Sequence, residues 1–337
     1  MNYAITMEET PLEPERLIID PHLHLWKVVG PFLPPPLPSQ FLLPEVLDTI
    51  QSSGHAITHT VFVECHAMYR PSGDLELRAV GETEFINGIA QTSTNEACRV
   101  AHRIVGNANL SLGGDVERVL DAHLAVAGDR FRGVRVVAAY SSAGLFGNAC
   151  APHLRGLMLD SRFREGVKVL AQKNLSLDIW CLHSQLDELI NLADALPDLT
   201  IILNHLGTPE HEGAFAGEDK SIRAIWSKKI RELALRKNVL VKLGGLGMDM
   251  SPQRDKRINP LSSQALAERW RPYIEAGIEA FGPKRCMFES NYPSDCAAGS
   301  YGAVWNAFKI IVKDLPEYEK DQLFRKTAAT TYRINID

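Results

Sequence analysis

The chain has 337 residues, 45% of them hydrophobic and 23% charged, with a net charge of −5 and a pI near 6.1. A chain of this length buries a large core without staples. Its mild acidity leaves no electrostatic footprint for nucleic acid, and no basic cluster marks a membrane surface. Six cysteines, none in a C-x-x-C pair, argue against zinc-finger and thioredoxin-like readings and for reduced thiols in a cytoplasmic protein. Residues 1–15 hold several acids and no apolar run, so neither a secretory leader nor a membrane span is expected. The expected partner is a small-molecule substrate, with homo-oligomerisation left open.

In chain order, short apolar or β-branched runs fall at residues 17–19, 60–63, 103–105, 134–138, 175–180, 200–203, 239–243 and 286–288. Helical spacing of apolar residues follows most of them, most clearly at 116–127, 221–237 and 261–281. Strands alternating with helices predict parallel βαβ units, and eight such units close into a (β/α)8 barrel. No linker divides the chain, so one domain over 1–337 is expected, with its core at about 16–333. An open doubly wound sheet would need a glycine fingerprint after the first strand. That turn reads Asp20-Pro-His-Leu-His-Leu-Trp26 and has none. The glycines Gly244, Gly245 and Gly247 follow the seventh run, where they read as a tight turn rather than a phosphate loop. The proline-rich stretch 31–38 is neither helix nor central strand and is expected as a stiff loop over the barrel mouth. The stretch 67–94 is expected to cross the same face.

Side chains at the C-terminal ends of barrel strands converge on one pocket. In strand order those ends hold His22 and His24, then Glu64 and His66, Asn107, Arg135 and Tyr140, His183, His205, Lys242, and finally Glu289, Asn291 and Asp295. His22 and His24 are two apart, so on an extended chain they point the same way, as a metal or a polarised carbonyl requires. A one-metal site, with zinc or another divalent ion, would draw on His22, His24, His183 and Asp295. Arg135, inside a strand, either faces a substrate carboxylate or forms a buried pair with Glu64 or another barrel acid. His55, His59, His102, His123, His153 and His211 are assigned to helices or loops with structural roles.

These motifs resemble the amidohydrolase-related, or amidohydrolase-2, barrels. The likeness runs from about Arg16 to Arg333, through Ile18-Ile-Asp-Pro-His-Leu-His-Leu-Trp26, Val61-Phe-Val-Glu64 and Asp178-Ile-Trp-Cys-Leu-His-Ser-Gln-Leu186. It continues through Asn204-His-Leu-Gly-Thr-Pro209, Val241-Lys-Leu-Gly-Gly-Leu-Gly-Met248 and Met287-Phe-Glu-Ser-Asn-Tyr-Pro-Ser-Asp295. The resemblance implies a lactonase-like hydrolase, with a metal-dependent decarboxylase or hydratase as the alternative. In such lactonases an aspartate after strand eight activates water while histidines polarise the carbonyl, some members with zinc and others without metal. Many relatives carry that aspartate where this chain has Asn291, and an amide cannot abstract a proton. The role of base passes to Asp295, with His22, His24 and His205 as its catalytic partners. Arg135, His183, Glu64, Tyr140 and Asn291 are the expected substrate-binding residues. A non-catalytic ligand-binding barrel is disfavoured, because three histidines and Asp295 are kept.

Overall fold

A computed structural model describes residues 9–27, 37–141, 152–209, 219–248 and 260–336. Eight parallel strands form one sheet in sequential order. They are β1 (Ile18–Leu23), β2 (Ile57–Val63), β3 (Arg99–Gly106), β4 (Phe131–Val137), β5 (Ser176–Trp180), β6 (Ile201–Leu203), β7 (Val239–Leu243) and β8 (Cys286–Phe288). Each contains or overlaps one of the expected runs. The first and last strands meet through a parallel bridge between Leu23 and Tyr292, and His24 N–H donates to Tyr292 O at 2.9 Å. Asp20 ties the same seam, accepting from Ser290 N–H (3.1 Å), Ser290 Oγ (2.5 Å) and Tyr301 Oη (3.0 Å). These polar partners let β1 run past Asp20, where the sequence reading stopped it. The register shifts between Asp20 and Leu23, across Pro21, which has no N–H for the ladder.

Around the barrel stand α1 (Leu43–Ser53), α2 (Val80–Thr92), α3 (Glu117–Ala127), α4 (Ser161–Gln172), α5 (Leu186–Ala195), α6 (Asp219–Ala234), α7 (Ser263–Phe281) and α8 (Tyr301–Ile311). The expectation for 67–94 is thereby corrected: its second half is α2, burying Val80, Ile86 and Ala90. Its two glycines, two threonines and asparagine are weak helix formers, and packing overrides them. His59 and His102 are also reassigned, since they lie within β2 and β3 rather than on helices or loops. Residues 31–36 of the expected mouth loop lie outside the described residues.

Alternation along the strands sorts the barrel interior into layers. Ile19, Val61, Val63, Val105, Ile202 and Met287 form an apolar lower layer. The helix α10 (Thr327–Tyr332), which follows the short α9 (Glu317–Asp321), packs Ala328, Ala329 and Tyr332 against that layer. Two residues further along the strands the interior turns polar, with Asn204 after Ile202 and Glu289 after Met287. No helix among the described residues is long and apolar enough to cross a membrane.

Candidate active site

His22, His205 and Glu289 form the centre. The His22 ring lies 4.7 Å from His205 and 4.9 Å from His24, nearly perpendicular to the latter. All of these side chains are buried. His205 follows β6 after Asn204, and its backbone, like that of Leu206, lies in the left-handed region at φ 54° and 55°. Residues other than glycine seldom adopt that conformation, and it persists where surrounding contacts over-determine it. Those contacts are on Glu289: its Oε1 accepts both the backbone N–H of His205 (3.1 Å) and the ring Nδ1 (2.8 Å). Burial alone would raise the Glu289 carboxyl, but the His205 and His22 rings outweigh it and hold the group well below the usual range. Glu289 is therefore an ionised anchor.

The glycine-rich turn after β7 closes over these residues. A Cβ on Gly245 (φ +66°) would fall 2.0 Å from His205 Nδ1, and one on Gly247 would fall 2.8 Å from Asp295 Oδ2. The tight turn read from sequence is thus also a close backbone approach to the site. Gly247 N–H donates to Asp295 Oδ2 at 2.9 Å, and Asn291 Nδ2 donates to Asp295 Oδ1 at 2.8 Å. Despite these donors, burial pushes the Asp295 carboxyl up to about 8.

His24 does not join His22 and His205. Its Nδ1 lies 2.8 Å from Val63 O and its Nε2 3.2 Å from Asn291 Oδ1. Burial and then the Arg135 charge lower this ring to about 4, so it is neutral at physiological pH. The expected alternation fails because β1 ends at Leu23, one residue short of His24. Of the two readings of Arg135, the buried pair is observed: Nε contacts Glu64 Oε1 and Nη2 donates to Glu64 O at 2.8 Å. His183 is buried at the start of a 3-10 turn after β5, and its N–H donates to Thr208 O at 3.2 Å. Tyr140 is half-buried in the segment after β4 and donates its backbone N–H to Gln185 Oε1 at 2.8 Å.

Below the histidines lies a group that the strand-end survey did not assemble. Lys242 Nζ is 2.7 Å from Asp178 Oδ2 and 3.2 Å from His22 Nδ1. Tyr332, from α10, reaches the same aspartate. Asp178 sits mid-strand in β5, and an acid there must face the interior or the helices. The argument applied to Arg135 could have singled it out. Nothing local marks Tyr332, which is brought in by the chain terminus.

Among the described residues, the donors that converge within metal-binding reach are His22, His205 and Glu289, one ligand atom of each lying within 4.8 Å of the others. His24, His183 and Asp295, expected as ligands, are not in that group. His22 Nε2 and Glu289 Oε2 are buried with no hydrogen-bond partner. Imidazole nitrogen and carboxylate oxygen are ordinary donors for zinc, so by reach and donor type the group fits a divalent ion.

A profile of the amidohydrolase family matches residues 19–334. The chain is 32% identical over 332 residues to the uncharacterized protein y4mH of Sinorhizobium fredii, covering 94% of this chain and 98% of that protein. It is 28% identical over 184 residues to an L-fucono-1,5-lactonase of Burkholderia multivorans, covering 54% of this chain and 59% of the lactonase. An amidohydrolase structure from Burkholderia multivorans with bound zinc superposes with a TM-score of 0.71 at 24% identity, covering 95% of this chain and 100% of that one. A 2,6-dihydroxybenzoate decarboxylase superposes with a TM-score of 0.56 at 12% identity, covering 94% and 99%. These two structural likenesses carry the barrel fold and nothing finer.

Proposed function

The chain belongs to the amidohydrolase family, and from that premise we propose that it hydrolyses a lactone or related cyclic ester. The observation that carries the reading is the split between two carboxyls on one turn. Glu289 is held low by two histidines, while Asp295 is pushed up to about 8 by burial. Two acids driven apart in this way divide the labour: one stays a fixed anion and the other exchanges protons near working pH.

On this reading, the substrate carbonyl oxygen meets His22 and His205, which Glu289 anchors. Asp295, ionised, takes a proton from water as the water oxygen bonds to the carbonyl carbon. The histidines stabilise the oxyanion. The ring C–O bond then breaks, and the proton held by Asp295 passes to the departing alkoxide, leaving a hydroxy acid. Asn291 keeps Asp295 aligned through its Nδ2 donor. A divalent ion held by His22, His205 and Glu289 would supply Lewis-acid polarisation of the same carbonyl. Arg135 shares its charge with Glu64, so an uncharged sugar-type lactone suits this pocket better than a dicarboxylate. His183 and Tyr140 are proposed to line the substrate site.

The test is a panel of aldonolactones and simpler cyclic esters followed by pH-stat, with hydroxybenzoates assayed in parallel for released CO2. Proton release with the lactones is the expected result. CO2 release with no lactone opening would move the chain to the decarboxylases.

A further inference from the structure

The polar column beneath His22 has no part in the steps above. Lys242 is fully buried, with its ammonium 2.7 Å from Asp178 Oδ2 and 5.3 Å from the centroid of the Tyr332 ring. Asp178 Oδ2 also accepts from Tyr332 Oη (2.9 Å) and Asn204 Nδ2 (3.1 Å). The lysine is thus fixed from below, and upward it reaches His22 Nδ1 at 3.2 Å.

An ammonium has N–H donors and no lone pair. It engages Nδ1 only as donor, and a ring nitrogen that accepts carries no proton. A neutral imidazole holds a single proton. With Nδ1 accepting, that proton sits on Nε2. Glu289 Oε2 lies 2.8 Å from the same Nδ1 but outside hydrogen-bond geometry, and it has no hydrogen-bond partner.

We propose that Lys242 is a positioning residue that holds His22 as the Nε2–H tautomer, so that His22 offers the site a hydrogen-bond donor for a carbonyl oxygen rather than a lone pair for a metal ion. This rests on the carbonyl-polarising reading above and specifies it. A metal-bound histidine has the opposite arrangement, with its lone pair on the ion and its other N–H on a carboxylate or carbonyl. Glu289 Oε2, 2.8 Å from Nδ1, is the carboxylate oxygen to which a reoriented ring would give such an N–H. Removing the lysine donor therefore frees the ring to reverse and turns His22 into a better ligand.

The tautomer is read directly by nitrogen–proton correlation NMR on protein carrying isotope-labelled histidine, with His22 assigned from the signal missing in His22→Gln. In the wild type, a pyrrole-type Nε2 and a pyridine-type Nδ1 are expected. A pyrrole-type Nδ1 overturns the proposal. In Lys242→Met the pattern is expected to reverse, and zinc affinity, titrated into metal-free protein, to rise on the order of tenfold. An unchanged tautomer in folded Lys242→Met overturns it equally. Where the unpaired Asp178 prevents folding, Lys242→Met combined with Asp178→Asn gives the same readout. If no lactone is opened while His22 shows Nε2–H, the proposed reaction fails and the assignment of Lys242 stands.

Discussion

Glu289 and Asp295 belong to one turn after β8, and their neighbours rather than their chemistry separate them. Glu289 has two imidazoles against its oxygens; Asp295 has an amide and a backbone N–H, which do not offset its burial. If Asp295 is the base, Asp295→Asn keeps the shape and removes basicity, and kcat should fall roughly 10²–10⁴-fold with substrate binding largely kept. The wild-type rate should also climb with pH and reach half its plateau near pH 8, because only the ionised carboxyl accepts the proton. Steady-state kinetics across pH checks both. A rising limb near pH 4 would assign the base to a carboxylate with an ordinary value.

The glycine-rich turn after β7 and the left-handed turn after β6 fit together, since Gly245 lies against the His205 ring. An added methyl group would displace that ring or open the turn. Gly245→Ala should lower kcat on the order of 10²-fold through misplacement of His205. It should also cost about 1–3 kcal/mol for a side chain in the left-handed region. Gly114→Ala, where an added Cβ meets nothing within 4 Å, is the control. Kinetics and urea unfolding of both variants provide the comparison.

Across the whole molecule, buried carboxyls and histidines set the pH dependence of stability in opposite directions. Burial raises Asp20 to about 6 and Glu82 and Asp295 to about 8. Each folded value lies above the unfolded one, so the fold favours the protonated form. That contribution is complete below about pH 4 and is lost as pH climbs through 6 and then 8. Glu289 runs the other way: its contribution is already present above its ordinary value of 4.5 and changes nothing further. Histidines oppose this loss below their ordinary value: His24, His55, His59 and His123 are lowered to about 4 and His102 to about 3, so there the unfolded chain binds the extra protons. Unfolding free energy should therefore rise with pH up to about 6.5 and decline only between about pH 7 and pH 8.5, and Glu82→Gln should flatten part of that decline. Urea titrations at several pH values measure it.

The eight strands were legible because each buried strand is a short apolar run, and such runs are local. His22, His24, His205, Glu289 and Asp295 were legible as residue types at strand ends, and the family resemblance put Asp295 forward as the base in place of Asn291. What the chain order could not contain is which of these groups meet. His24 turns to Val63 because the strand has ended, and Arg135 pairs with Glu64 across the barrel. Glu289 gathers His22 and His205 rather than serving as a spare acid. The Tyr332–Asp178–Lys242–His22 column joins residues 22, 178, 242 and 332, which no window of sequence spans. Burial then assigns the charges, because the cost of an ion without water depends on every neighbour at once. Sequence by itself determined the barrel and the kinds of chemistry at its mouth. Only the closed tertiary structure decided which carboxyl lies against two imidazoles, which one is buried beside an amide and a backbone N–H, and which nitrogen of His22 has Lys242 against it.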